Sequence, residues 1–269
     1  MIATGRVRYT IHMLQILLHS SKTMRHEPAE YAPLDTPRFL PEAIKLADTW
    51  KAAPTKIIAT RMKLSPAKIT ETQQLFGNWS ATPQHPIPTI DAFKGDIYSG
   101  LQVPSWTEAD RRYAHAHLLI LSGLYGALRA CDGIAPYRLE MGYKLPDGTS
   151  MYKFWGDTLA QALPANTSVI INLSAVEYTK ALLPHVSARV ITPKFLTISP
   201  KTGEPTFVTV HAKIARGAFA RWLIVRKIED TSQLPTFAEL GYRYNAALSS
   251  PEQPVFVCET FAGLGLSVR

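Results

Sequence analysis

The continuous apolar runs of this chain are short, and their length limits how the chain can fold. The longest of them, such as LLIL (118–121) and VIINL (169–173), have only four or five residues. A membrane-spanning helix needs about 20 apolar residues, so we expect no membrane span and no membrane partner. A short apolar run bounded by polar residues is instead typical of a strand buried inside a sheet. We therefore predict buried strands at residues 14–19 and 167–174.

The segments between these strands carry both helical and strand-like patterns. Helices are predicted at about residues 41–52, 65–79, 107–123 and 212–228, a β-hairpin at 188–198 and 204–212, and a last strand at 254–260. The helix from Thr107 toward Gly123 is predicted to begin at a capping box, because Asp110 follows Thr107 by three residues. No regular βαβ repeat is present, so we predict an α+β fold with a mixed sheet and surrounding helices.

Length and the N-terminal sequence predict one compact domain. The chain has 269 residues, and a strand-like run begins at Met13. We expect the domain to cover residues 13–269 and residues 1–12 to be a loose N-terminal extension. Two cysteines, Cys131 and Cys258, are too few for a disulfide framework. A reducing cytoplasm is therefore the expected location.

The net charge of +8 is concentrated in one part of the chain. The stretch from Lys180 to Lys227 contains nine basic residues and a single acid, Glu204, whereas the rest of the sequence is balanced. A localised basic stretch is typical of a protein that binds a polyanion, most simply nucleic acid. A solvated, moderately basic surface explains the composition equally well.

Standard catalytic and cofactor motifs are missing from the sequence. There is no G-x-x-x-x-G-K-[ST] phosphate loop and no G-x-S-x-G nucleophile motif, and the one GxG lies at the C-terminus without room for a following helix. His115 and His117 are two residues apart, so on a helix they point to different faces and do not form a metal site. We predict no cofactor and no bound metal.

Short stretches that mix cations, carboxylates, aromatic residues and glycine carry the most specific signal. They are AFKGDIYSGL (92–101), LSGLYGALR (121–129), PYRLEMG (136–142), YKFWGD (152–157), INLSAVEY (171–178) and AKIARG (212–217). These six occur in the same order in the YaaA peroxide stress protein family, and the chain resembles that family from about Met13 to Tyr244. The resemblance implies a cytoplasmic bacterial protein of hydrogen peroxide defence that limits iron-dependent oxidative damage.

The same resemblance implies a DNA-binding protein with a single fold of its own, a basic cleft and a helix-hairpin-helix element. The chain departs from the family pattern in two places. It has HSSKT (19–23) where the family has SPAKT, and LRACD (128–132) where the family has LRPLD. Lys22, Arg129 and Asp132 are retained. The C-terminal sequence CETFAGLGLSVR has no counterpart in the family.

Two groups of residues are candidates for contact with double-stranded or distorted DNA. Gly123 and Gly126 would form a hairpin whose backbone N–H groups face a phosphate, although the usual spacing of such glycines is G-x-G. The predicted helix 212–228 has basic residues on one side and Ile214, Ala218, Trp222 and Val225 on the other. The residues assigned to nucleic-acid binding are Gly123, Gly126, Arg129, Arg138, Lys213, Arg216 and Arg221.

Carboxylates in the same stretches point to a different class of function, because acids repel phosphate. A lysine beside a carboxylate can attack the C1′ atom of a sugar, and carboxylates can transfer protons. The candidate catalytic residues are Lys22, Lys94, Asp96, Glu140, Lys153 and Asp157. If they form one site, Lys22, Lys94, Arg138 and Lys153 line a common cleft; if they are scattered, each carboxylate makes a local ion pair.

Three functions therefore remain open. The leading hypothesis is a DNA-binding protein of the peroxide response. The alternative is an enzyme that acts on a nucleobase, a nucleoside or a damaged DNA base in the same cleft. Direct iron handling is disfavoured, because His, Cys and carboxylate residues are not clustered at metal-ligand spacing.

Overall fold

The computed structural model describes residues 13–263, so the prediction for residues 1–12 lies outside the described residues. Within that range, thirteen strands are β1 Met13–His19, β2 Thr23–Met24, β3 Ile87–Pro88, β4 Phe93–Lys94, β5 Leu118–Ser122, β6 Gly126–Arg129, β7 Gly133–Ile134, β8 Thr167–Asn172, β9 Arg189–Ile191, β10 Lys194–Ile198, β11 Pro205–Thr206, β12 Tyr242–Tyr244 and β13 Val255–Cys258. The predicted α+β class is confirmed.

Nine α-helices accompany these strands within residues 13–263. They are α1 Leu40–Lys51, α2 Thr55–Met62, α3 Pro66–Asn78, α4 Thr89–Ala92, α5 Asp96–Leu101, α6 Glu108–His117, α7 Met151–Trp155, α8 Val176–Thr179 and α9 Thr209–Arg226. The predicted helices near 41–52, 65–79 and 212–228 correspond to α1, α3 and α9, whereas α2 was not predicted. None of the helices described between residues 13 and 263 combines the length and apolar character needed to cross a membrane.

The central sheet has five strands in the order β6-β5-β1-β8-β9. Strand β1 is parallel to β5 and β8, and β8 is parallel to β9, whereas β6 is antiparallel at one edge. The two strands predicted to be buried, β1 and β8, are neighbours at the centre of the sheet. Elements packed on both faces explain why the centre of β1, from Leu14 to Leu18, is fully apolar except for Gln15.

A second sheet has four strands in the order β11-β10-β13-β12. It contains the predicted hairpin, in which β10 pairs with β11 in antiparallel fashion. The second arm of the hairpin is only two residues long, because helix α9 begins at Thr209. The predicted last strand is β13, which pairs with both β10 and β12.

The predicted helix from Thr107 to Gly123 is wrong in its second half. Helix α6 does begin at the predicted capping box, since Thr107 Oγ1 accepts from the backbone N–H of Asp110. The helix ends at His117, however, and the next five residues form β5, which pairs with β1 in the centre of the sheet. An apolar run suits a buried helix and a buried strand alike, and here pairing with β1 decides for the strand.

The same correction removes the predicted helix-hairpin-helix element at this position. The residues LSGLYG form the end of β5, a turn and the start of β6, so the glycines sit in a β-hairpin. Both Gly123 and Gly126 are buried. A Cβ atom on Gly123 would lie 2.4 Å from the Leu139 carbonyl oxygen. Gly126 has a φ of +73°, and a Cβ atom there would clash with the ring of Trp155. These glycines allow close packing inside the protein, so they do not face a phosphate.

Helices α5 and α9 cross in direct backbone contact. A Cβ atom added to Gly217 would lie 1.8 Å from the carbonyl oxygen of Ile97, and one added to Gly100 would lie 2.0 Å from that of Ile214. Only glycine allows two helices to approach so closely at these positions. Gly100 of AFKGDIYSGL and Gly217 of AKIARG therefore hold α5 tightly against the middle of α9.

Candidate functional site

A cleft opens at the carboxyl ends of two central parallel strands. Strand β1 ends at His19 and is followed by Ser20, Ser21 and Lys22, whereas β8 is followed by Ala175, Glu177 and Tyr178, and all of these residues line the cleft. The next strands in chain order within this sheet lie on opposite sides, β5 beside β1 and β9 beside β8. The cleft is thus at a topological switch point, where sheets with parallel strands commonly bind ligands.

We call this cavity the carboxyl-edge cleft. Its volume is about 440 Å³, which is within the size range of small-molecule sites. The charged residues that line it are Lys22, Lys94, Lys213, Asp96, Glu140 and Glu177. Three cations are therefore balanced by three carboxylates, and the lining is mixed in charge instead of uniformly basic.

Two of the lysines are held by carboxylates. Lys22 Nζ lies 2.9 Å from Glu140 Oε2, and Lys213 Nζ lies 3.7 Å from Asp96 Oδ2. The hydroxyl of Tyr143 donates a hydrogen bond to the other oxygen of Glu140. Ion pairs as exposed as Lys22–Glu140 contribute only about 0–1 kcal/mol to stability. Their arrangement around one cavity therefore matters more than their contribution to folding.

Lys94 has no ion-pair partner among residues 13–263. It lies at the end of β4 and is half-buried. Gly95, which follows it, has a φ of +120°, and a Cβ atom there would lie 3.2 Å from Ser21 Oγ. This glycine lets the chain turn sharply against the loop after β1, so that both Lys94 and Asp96 line the cleft.

His19 is a site residue that the sequence analysis missed. Its Nδ1 accepts a hydrogen bond of 3.1 Å from the backbone N–H of Ala175, so the neutral ring carries its proton on Nε2. Burial, and to a smaller extent the nearby charges of Arg216 and Lys213, together lower the pKa of His19 to about 3. The imidazole is therefore a neutral group beside the cations. The one available signal was its position as the last residue of a predicted buried strand.

Hydroxyl groups surround His19 and make this part of the cleft polar but uncharged. Tyr98 Oη donates to the carbonyl oxygen of His19 at 2.9 Å, and Ser20 Oγ donates to Tyr178 Oη at 3.3 Å. The ring of Tyr178 stacks on His19 with 4.9 Å between centroids. Burial raises the pKa values of both tyrosines well above the usual range. The charges of the cleft therefore come from its lysines and carboxylates.

Arg216 lies on helix α9, close to His19. Its guanidinium is half-buried, and burial lowers its pKa from the usual value. None of the carboxylates described in residues 13–263 forms an ion pair with it. A partly buried arginine without an acidic partner is well suited to meet an anionic group.

The other predicted residues lie away from the carboxyl-edge cleft. Arg129 is held by Asp132 at 2.8 Å and by Asp35 at 2.9 Å, and Arg221 is paired with Glu239 at 2.5 Å. Arg138 is half-buried, whereas Lys153 and Asp157 are exposed on and just after α7; none of the three is among the lining residues. The predicted common cleft thus contains Lys22 and Lys94 but lacks Arg138 and Lys153.

The buried and exposed faces predicted for helix α9 are only partly correct. Ile214, Ala218 and Trp222 are buried as predicted, whereas Val225 is exposed. The helix ends at Arg226, and Lys227 continues in a left-handed turn, so the spacing of an ideal helix no longer applies at its end. Of the predicted basic face, Lys213 and Arg216 lie near the carboxyl-edge cleft.

No group of three or more His, Cys, Asp and Glu side chains is placed to hold a metal ion in the part of the chain from residue 13 to residue 263. His115 instead accepts from the backbone N–H of Cys131 through Nδ1, and His117 Nδ1 lies 3.0 Å from the carbonyl oxygen of Leu14. The two imidazoles are used to join helix α6 to its neighbours.

Comparison with known proteins agrees with the motifs. A family model described as peroxide stress protein YaaA matches residues 14–248. A UPF0246 protein of Salinispora tropica is 53% identical over 257 residues, which cover 94% of this chain and 97% of that protein. A UPF0246 protein of Ruegeria pomeroyi is 39% identical over 231 residues, covering 82% and 90%. The resemblance predicted from the six motifs is confirmed, and the chain belongs to the peroxide stress protein YaaA family.

Proposed function

We propose that the protein acts in peroxide stress by binding DNA and holding a single nucleotide of it in the carboxyl-edge cleft. The observation that carries this proposal is the position of Lys22, Lys94 and Lys213 around one ligand-sized cavity at the switch point of the sheet. Membership of the peroxide stress family supports the biological setting. A limit on iron-dependent damage would then be a consequence of action on DNA.

The dimensions and charges of the cleft favour a nucleotide over a length of regular duplex. A cavity of about 440 Å³ suits one base with its sugar and phosphate. Lys94 and Arg216 lack carboxylate partners in the described part of the chain, so they are available to a phosphate. The carboxylates suit the N–H groups of a base. Distorted DNA, in which a nucleotide is already unstacked, would enter at the lowest cost.

An enzymatic role is the second candidate, and the proximity of Lys94 to Asp96 in one cleft favours it. In a glycosylase-like reaction, the neutral amine of a lysine attacks C1′ of the sugar and forms a C–N bond. The bond from C1′ to the base breaks, and the base leaves with the electron pair and receives a proton from an acid. Loss of a proton from the lysine nitrogen and opening of the sugar ring then give an imine. Asp96 would accept the lysine proton.

Mobility-shift titrations with duplex DNA and with bulged DNA test the binding proposal. We expect affinity to fall steeply as salt increases, because phosphate contacts release counterions, and to be higher for the bulged DNA. Lys94→Ala should weaken binding. Lys201→Ala is the matched control, because Lys201 is exposed in the turn between β10 and β11. Absence of binding to either DNA at low salt would refute the proposal.

Borohydride trapping tests the enzymatic candidate separately. The protein would be incubated with duplexes that contain an oxidised base or an abasic site, and reduction would convert an imine into a stable protein–DNA adduct. Lys94→Ala should abolish the adduct, whereas Lys201→Ala should retain it. An adduct of equal yield with Lys94→Ala would reject the role of this lysine, and DNA binding without any adduct would leave only the binding function.

A further inference from the structure

A second cleft adjoins the carboxyl-edge cleft and is separated from it by two carboxylates. We call it the α2 cleft, because the end of helix α2 and the segment after Gly142 form it. Its volume is about 360 Å³, and its lining includes Arg61, Lys63 and Lys144. Glu140 and Glu177 line both cavities. The two clefts are therefore adjacent, with these two glutamates as their shared wall.

The shared wall is held in place by hydrogen bonds. Gly142 donates its backbone N–H to Glu177 Oε1 at 2.8 Å, and a Cβ atom on residue 142 would lie 2.9 Å from that oxygen. Glu140 is held by Lys22 and by the hydroxyl of Tyr143. Both carboxylates are thus oriented before any ligand arrives, which reduces the entropy lost on binding.

The far side of the wall carries an excess of positive charge. Arg61 donates to the carbonyl oxygen of Pro146 at 3.5 Å, which joins the end of α2 to the segment that contains Lys144. Lys63 follows α2 in a left-handed conformation with a φ of +51°. Among residues 13–263, none of these three cations forms an ion pair. Three cations in a cleft with only the wall carboxylates favour an anionic ligand.

We propose that the α2 cleft binds a second phosphate, so that the ligand of this protein is a nucleotide with a phosphate on both sides of its sugar. This inference rests on the proposed function, because it takes the first cleft to hold a nucleotide. One phosphate would meet Lys94 on one side of the wall, and the other would meet Lys63 and Lys144. Such a nucleotide is one inside a strand, which a free nucleobase, nucleoside or mononucleotide is not.

Titration calorimetry with thymidine 3′,5′-bisphosphate, thymidine 5′-monophosphate and thymidine 3′-monophosphate tests the inference. The bisphosphate should bind at least about 10-fold more tightly than either monophosphate, as expected for one additional charge-assisted contact. Lys63→Ala combined with Lys144→Ala should remove this difference, because the bisphosphate would then bind no more tightly than the monophosphate whose phosphate meets Lys94. Lys56→Ala is the matched control, because Lys56 lies exposed on the same helix and outside the cleft.

The outcomes separate this inference from the function on which it rests. Equal affinity for all three ligands, or a preference for the bisphosphate that survives in the double variant, would overturn the second phosphate site while DNA binding stands. A thymidine trinucleotide should bind at least as tightly as the bisphosphate; weaker binding would overturn the assignment to a strand. If neither the nucleotides nor DNA bind, both the inference and the proposed function fail. Thermal melting of each variant verifies that it is folded.

Discussion

The crossing of α5 and α9 gives the sharpest test of how the site is built. In Gly217→Ala, the new Cβ atom would lie 1.8 Å from the backbone oxygen of Ile97. An ordinary contact needs at least 3.4 Å, so the two helices must separate by about 1.6 Å. The obstacle is backbone, which cannot rotate away as a side chain does. All of α5 except Asp96 is buried, so this separation disturbs packing along the whole helix.

The expected cost is at the upper end of the range for overpacked cores, about 3 kcal/mol. For a domain of this size, that corresponds to a fall in Tm of about 6–12 °C. Because α5 begins at Asp96 and α9 carries Lys213, nucleotide binding should weaken as well. Thermal and urea denaturation followed by circular dichroism measure the first effect, and calorimetry measures the second.

Gly77→Ala provides the matched control. Gly77 lies in α3, and a Cβ atom there would have no atom within 4 Å. Alanine in a helix is favoured over glycine by about 0.5–1 kcal/mol, so this variant should be slightly more stable than the natural protein. If Gly217→Ala melts within 2 °C of Gly77→Ala, on the scale of Tm shifts given above, the close helix contact does not have the importance that we assign to it.

Two further predictions concern pH. Burial raises the pKa of the Asp132 carboxyl group from its usual value to about 6. The folded protein therefore retains the carboxyl proton more readily than the unfolded chain does. The resulting stability is present at low pH and is lost as the pH rises through about 6. Urea denaturation should show the stability of the natural protein falling relative to Asp132→Asn over this interval; a difference independent of pH would contradict the assignment. His19 has its pKa lowered to about 3, so its NMR signals should show no titration above about pH 4; protonation near pH 6 would mean that the ring is not enclosed as described.

Elements with strong local patterns were predictable from the sequence. Strands β1 and β8 and helices α1, α3 and α9 correspond to the predicted segments within a few residues. Their composition and periodicity agree with their final environment, so local pattern was sufficient. Helix α2 was missed because its eight residues, TKIIATRM, carry only a weak apolar face; Ile58 and Met62 are its buried residues.

The site residues were predictable as types but not as a group. Lys22, Lys94, Asp96, Glu140 and Lys213 share one cleft although nearly 200 residues separate the first from the last. Lys153 and Asp157 had the same local signature of a cation and a carboxylate beside aromatic residues, yet both lie exposed elsewhere. Nothing local distinguishes the two sets, because the strand order and the crossing of α5 with α9 determine which residues meet.

The sequence by itself determined the fold class, the two central strands and the family, since short apolar runs and six motifs in a fixed order are properties of the chain alone. Only the tertiary structure decided that LLILS forms a strand and that Gly123 and Gly126 form a buried turn. An apolar run satisfies its backbone hydrogen bonds equally well in a helix or a sheet, and pairing with β1 decides between them. The neutral state of His19 has the same origin, because residues distant in the sequence provide both the burial and the neighbouring charges that lower its pKa.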